Sequence, residues 1–144
     1  MSELSITVVI PTRNAGQFLG KILAAINDQT LLPKEIVIID SSTNDDTKNI
    51  VKEYISTIPI VYHYERKAYP GKARNVGVEL VSGDWVAFLD TKTIPDEDWL
   101  ERYQHLVQAY HVDAVFGVTQ FNAGSPFQER LRAATYGKIG HHTV

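Results

Sequence analysis

Residues 35–47 read Glu35-Ile36-Val37-Ile38-Ile39-Asp40-Ser41-Ser42-Thr43-Asn44-Asp45-Asp46-Thr47, and this stretch decides the fold. Ile36 to Ile39 are all β-branched and apolar, with no polar alternation. That pattern marks a strand covered on both faces, as in a parallel sheet. Asp40 ends the run. The residues after it are turn and cap formers, whose short side chains bond to nearby backbone. A helix follows, with Ile50, Val51, Tyr54 and Ile55 toward the core. A buried strand that ends in a polar turn and feeds a helix is one βα unit.

The same unit recurs on either side. Ile6–Ile10 is a second β-branched run, ended by Pro11. Residues 15–29 carry Phe18, Leu19, Ile22, Leu23 and Ile26 on one helical stripe. Ile60–Tyr64 follows Pro59 and reads as an edge strand. Glu65–Lys72 is a loop, and residues 72–81 form a short helix with Ala73, Val76, Val78 and Leu80. Trp85–Leu89 is a strand ended by Asp90. Pro95 opens a helix with Asp96, Glu97 and Asp98 in its first turn, where the helix dipole favours acids. Trp99, Leu100, Tyr103, Leu106 and Val107 line its apolar side. Ala114–Val118 is a fifth strand and Phe127–Tyr136 a last helix. The expectation is an α/β fold: three α/β/α layers around a mostly parallel, Rossmann-like sheet, with residues 1–144 as one domain.

Composition narrows the function classes. Hydrophobic residues make up 44% and charged residues 22%, which excludes a disordered chain, collagen and a coiled coil. There are no cysteines, so no disulfide framework, thiolate metal site or thiol nucleophile is available. The net charge of −3 argues against electrostatic nucleic-acid binding. Acidic Glu3 before the short Ile6–Ile10 run does not make a signal peptide. No apolar run approaches the roughly 20 residues of a transmembrane segment. A cytoplasmic protein is expected. His63, His105 and His111 are scattered, without metal-site spacing.

Parallel sheets bind ligands beyond the carboxyl ends of their strands. Three strand ends therefore matter. Pro11-Thr12-Arg13-Asn14 lacks the glycines of a dinucleotide-binding turn, which argues against NAD or FAD. It reads as a ligand loop or as a plain βα loop with Asn14 capping the helix. Asp40 either accepts hydrogen bonds from a ribose or base, or caps its own turn. Asp90 either contacts a ribose or metal through its oxygens, or caps its turn. Lys92 follows it, and a protonated lysine cannot ligate a metal but can neutralise phosphate. Arg66, Lys67, Lys72 and Arg74 form a basic cluster beside a helix start, as a solvated loop or as an anion site.

Four segments in order carry a resemblance: ITVVIPTRN (6–14), EIVIIDSSTNDDT (35–47), GKARNVG (71–77) and GDWVAFLD (83–90). With Pro95–Leu100 behind them, the chain resembles the inverting family 2 glycosyltransferases. The resemblance implies the GT-A fold and transfer of a sugar from a nucleotide-diphosphate donor to an acceptor hydroxyl. It implies that Pro11, Thr12 and Asn14 lie near the base and ribose, that Asp40 bonds the base, and that Arg74 lies by the nucleotide. Asp90 matches the first acid of the family's Asp-x-Asp motif, but Lys92 stands where the second belongs. A Mg²⁺ or Mn²⁺ ion is then held by Asp90 alone, or Lys92 takes over its charge. Ser41 replaces another family acid beside Asp40. The catalytic base is unassigned, since Glu129 matches no family segment. At 144 residues the chain is expected to supply the donor-binding half and to lack the acceptor region. Its partners are then a nucleotide-diphosphate sugar, an unidentified acceptor and, through the helices at 97–110 and 127–137, a second copy of itself. A nucleotide-sugar-binding module without transferase activity is the alternative. A phospho-acceptor domain is disfavoured, because the first strand ends in Pro11-Thr12-Arg13 rather than in acids. A nucleotidyltransferase is disfavoured for want of a Gly-rich loop there.

Overall fold

The computed structural model describes residues 2–119. Four strands, β1 (Ile6–Thr12), β2 (Glu35–Asp40), β3 (Ile60–Tyr64) and β4 (Trp85–Phe88), alternate with four helices, α1 (Gly16–Asn27), α2 (Asp46–Glu53), α3 (Pro70–Leu80) and α4 (Trp99–Tyr110). The sheet is all parallel, in the order β3-β2-β1-β4. The chain steps outward from β1 to β3, then returns to lay β4 on the other side of β1. That reversal makes a switch point between the carboxyl ends of β1 and β4.

Alternate residues of one strand go to opposite faces, which is why the central strands are apolar throughout. Val8, Ile10, Ile36 and Ile38 face Leu19, Ile22, Leu23 and Ile26 of α1 and Leu100 of α4. Ile50 and Val51 of α2 join that cluster from its margin. Val9, Val37 and Ile39 face Ala73 and Val76 of α3. The result is the three-layer α/β/α arrangement, with α3 on one face and the other helices opposite. Gly77 lets α3 seat directly on the sheet, because a Cβ there would collide with the Val9 side chain. Among the described residues no helix is long and apolar enough to cross a membrane.

Several elements differ from expectation. Strand β1 does not stop at Pro11 but continues to Thr12, with Pro11 in register with Ile39. The ladder explains this. The Thr12 carbonyl accepts from Ser41 on the β2 side, and the Val9 carbonyl accepts from Leu89 on the β4 side. Odd residues of β1 thus point toward β4, which ends opposite Val9. Proline has no N–H to carry that ladder past Leu89, so pairing with β4 stops there, while even residues carry the pairing with β2 on to Thr12. Helix α3 opens two residues early because Pro70 takes its first position, where no amide donor is needed. Helix α4 opens at Trp99, so Asp96, Glu97 and Asp98 precede it rather than fill its first turn. Arg102 then reaches back to Asp98 at 2.7 Å. Ile55 is 96% exposed, not in the core, because α2 has already ended at Glu53. Residues 114–118 form no strand, and Phe116 is 92% exposed. Strand-forming side chains need a paired neighbour, and none lies beside this segment among the described residues. The helix expected at Phe127–Tyr136 lies outside the described residues.

Candidate functional site

Asp40 stands at the end of β2, opposite Thr12 at the end of β1. Its side chain is buried, and every contact suits an ionised carboxylate, which only accepts hydrogen bonds. Oδ1 accepts from Thr12 Oγ1 at 3.0 Å, from the Ser42 backbone N–H at 2.9 Å, and from Ser42 Oγ. Oδ2 accepts from the Tyr62 hydroxyl at 2.7 Å. Behind them, Ser42 Oγ lies 3.2 Å from Thr47 Oγ1. Burial, reinforced by the bond to Asp40, pushes the Tyr62 phenol well above its ordinary range.

Asn14 joins the same group from β1. It sits in the left-handed region at φ 51°, which asparagine tolerates better than most residues. Its backbone N–H donates to Ser42 Oγ at 2.7 Å, and its Oδ1 accepts from the Thr43 N–H at 2.9 Å. Asn14 therefore does not cap α1. Ala15 occupies the cap position, without a side-chain bond. Asn14 instead ties the loop after β1 to the loop after β2. Thr12, Asn14 and Asp40 are brought together, with Pro11 one residue before them in β1. Asp40 does cap its own turn, through the Ser42 N–H, and in addition links three strands.

The second group lies across the switch point. Arg74, in the first half of α3, donates Nη2 to Asp90 Oδ1 at 2.6 Å. Asp90 follows β4, and its turn is closed by the Thr93 N–H on the Asp90 carbonyl at 3.0 Å. Lys92, in the same turn, places Nζ 5.7 Å from the centre of the Phe18 ring of α1, a cation–π distance. The basic cluster is divided. Lys72 pairs with Glu65 at 2.6 Å rather than standing free, and its hydrogen bond holds the Glu65 carboxyl below the usual range. Arg66 and Lys67 are exposed.

Asp90 does not make a divalent-cation site from protein side chains alone. Such an ion takes several oxygen ligands. Among the described residues no three His, Cys, Asp or Glu side chains cluster to hold one. One Asp90 oxygen is already engaged by Arg74, and Lys92 adds a second positive charge nearby in sequence.

Tyr62 was not legible as a site residue. It reads as one more aromatic of an edge strand. Its reach to Asp40 depends on β3 lying parallel to β2, with Tyr62 in register with Ile38.

A parallel α/β domain whose polar strand ends converge at a switch point is of the class whose ligands lie along that edge. Residues 7–143 match the family described as Glycosyl transferase family 2. The chain belongs to that family. It is 33% identical over 122 residues to glycosyltransferase AglE of Haloferax volcanii, covering 81% of this chain and 40% of that protein. It is 30% identical over 119 residues to glycosyltransferase GlyG of Streptococcus pneumoniae, covering 81% and 39%. Among solved structures, S. aureus TarS 1–349 in complex with UDP-GlcNAc superposes with TM-score 0.68 at 25% identity, covering 81% of this chain and 37% of that one. The mannosyltransferase PcManGT of Pyrobaculum calidifontis, in complex with GDP-Man and Mn²⁺, shares the fold with TM-score 0.66 at 22% identity, covering 91% and 39%. The chain thus spans about two fifths of the length of these relatives.

Proposed function

We propose that this chain is the donor-binding part of an inverting glycosyltransferase, which passes a sugar from a nucleotide-diphosphate donor to an acceptor hydroxyl. The observation that carries this reading is the placement of two polar groups. Thr12, Asn14 and Asp40 are locked together at the ends of β1 and β2, and Arg74 with Asp90 stands across the switch point. Base and ribose belong with Pro11, Thr12, Asn14 and Asp40, and the diphosphate with Arg74, Asp90 and Lys92. The UDP-GlcNAc complex of TarS supports a nucleotide-sugar donor.

The chemistry is displacement at the anomeric carbon. The acceptor oxygen forms the new bond as the bond to the diphosphate breaks, and a base takes the acceptor proton. Fixed positive charge stabilises the departing diphosphate. Residues of this chain supply that charge. The base is assigned to none of them.

Partial coverage of its relatives favours a second reading, in which the chain binds donor but does not transfer. Calorimetric titration with UDP-GlcNAc and GDP-mannose, run beside a nucleotide-release assay, separates the two. The expected result is binding with little turnover. Sustained turnover by these 144 residues would contradict the assignment to a donor-binding part.

A further inference from the structure

The turn after β4 and the first half of α3 carry an inference that rests on the donor-binding reading and deepens it. Arg74 Nη2 and Asp90 Oδ1 are 2.6 Å apart, a charge-assisted bond at the short end of its range. The Arg74 side chain is about one-third exposed, at 34%, and Asp90 is open to solvent at 65%. One donor of the guanidinium is spent on Asp90, and the rest of its fork is uncommitted among the described residues. Two residues beyond Asp90 the turn presents Lys92 rather than an oxygen donor, steadied over the Phe18 ring. Two cationic residues thus belong to this edge: Arg74, bonded to Asp90, and Lys92, in the turn that Asp90 opens. A divalent cation placed on Asp90 would compete with Arg74 for the carboxylate, and among the described residues no cluster of acids offsets that cost. A diphosphate placed there meets the opposite situation. It finds a planar donor fork already oriented by Asp90 and an ammonium in the same turn.

We infer that this chain binds the diphosphate of its donor without a divalent cation. Asp90 is a positioning residue that holds Arg74, and Arg74 and Lys92 supply the countercharge. The change from an acid to Lys92 and the Arg74–Asp90 bond form one device. The lysine removes the metal's second ligand and replaces its charge, and the guanidinium occupies the first ligand.

The test is calorimetric titration of UDP, GDP and dTDP into the 144-residue chain, in EDTA and in Mn²⁺. It uses the wild type, Lys92→Asp, Lys92→Ala and Asp90→Asn, each checked for folding by circular dichroism. For the wild type, the nucleotide that binds should do so with Kd values equal within about twofold in the two buffers, well below the tenfold that marks a real energetic difference. Lys92→Asp should weaken binding about tenfold or more in EDTA, as loss of a charge-assisted contact does. It should recover in Mn²⁺, and it should bind Mn²⁺ by electron paramagnetic resonance where the wild type does not. Lys92→Ala should lose affinity in both buffers without recovery. Asp90→Asn should also lose affinity in both, because Arg74 is released. Wild-type binding that requires Mn²⁺ overturns the inference and leaves the donor reading standing. So does undiminished EDTA binding by both Lys92 variants. No binding of any of the three nucleotides in either buffer overturns the donor reading, and this inference with it.

Discussion

Asp40 and Tyr62 show how one carboxylate serves both fold and site. Both oxygens of Asp40 are occupied by protein donors from β1, β3 and the loop after β2. Such a group is costly to leave unpaired and equally costly to its partners if removed. Tyr62→Phe deletes only the bond to Oδ2. It should lower stability by about 1.5–3 kcal/mol in urea unfolding, the range for a hydrogen bond to a charged group. An unchanged midpoint would show that the bond is not held in solution. The pH dependence has a definite sign. Burial raises the Tyr62 phenol above its ordinary value of 10.0, so the folded chain holds that proton more tightly than the unfolded chain. The corresponding stability is present below pH 10.0 and falls as the pH rises beyond it. Tyr62→Phe should flatten that part of the profile. Thr12, Asn14 and Asp40 could be singled out in the sequence because each follows a buried apolar run. Tyr62 could not, because its role is set by the register of a neighbouring strand. Nor could the Arg74–Asp90 bond, which joins residues 16 positions apart on different elements.

At the scale of elements, the sequence showed where strands and helices lie better than where they end. Four strands and four helices were legible from periodicity alone. Pro11 reads locally as a stop, yet β1 runs past it, since its missing N–H lies on the β4 side and leaves the pairing with β2 intact. Residues 114–118 are strand-like in composition and unpaired in the structure. In both cases the deciding quantity was a neighbour in space. Gly77 offers the sharpest test of the layer packing. Gly77→Ala gains up to roughly 1 kcal/mol of helix propensity. The added Cβ collides with Val9, in the packed face under α3. Overpacking of this kind costs about 1–3 kcal/mol, so after the propensity gain the net should be a loss of up to roughly 2 kcal/mol in urea. A more stable variant would mean that α3 is seated less closely on β1 than described.

At the scale of the whole molecule, the order β3-β2-β1-β4 turns scattered polar residues into one edge. The side of that edge proposed for base and ribose is held by a buried hydrogen-bond network. The side proposed for the diphosphate is built from Arg74 on α3 and from Asp90 and Lys92 in the turn after β4. This division matches the proposed donor site, with a buried network on one side and positive charge held by Asp90 and Phe18 on the other. The chain covers about two fifths of its relatives, and the residues that receive an acceptor and its proton have no counterpart assigned within it. The most direct test of the account is a thermal-shift panel of UDP, GDP, dTDP and CMP on the wild type and on Asp40→Ala. One nucleoside diphosphate, at about a hundredfold above its Kd, should raise the wild-type melting temperature by roughly 5–10 °C. Asp40→Ala should melt lower and lose that shift. No shift with any nucleotide, or an equal shift in the two proteins, would contradict donor binding at this strand edge.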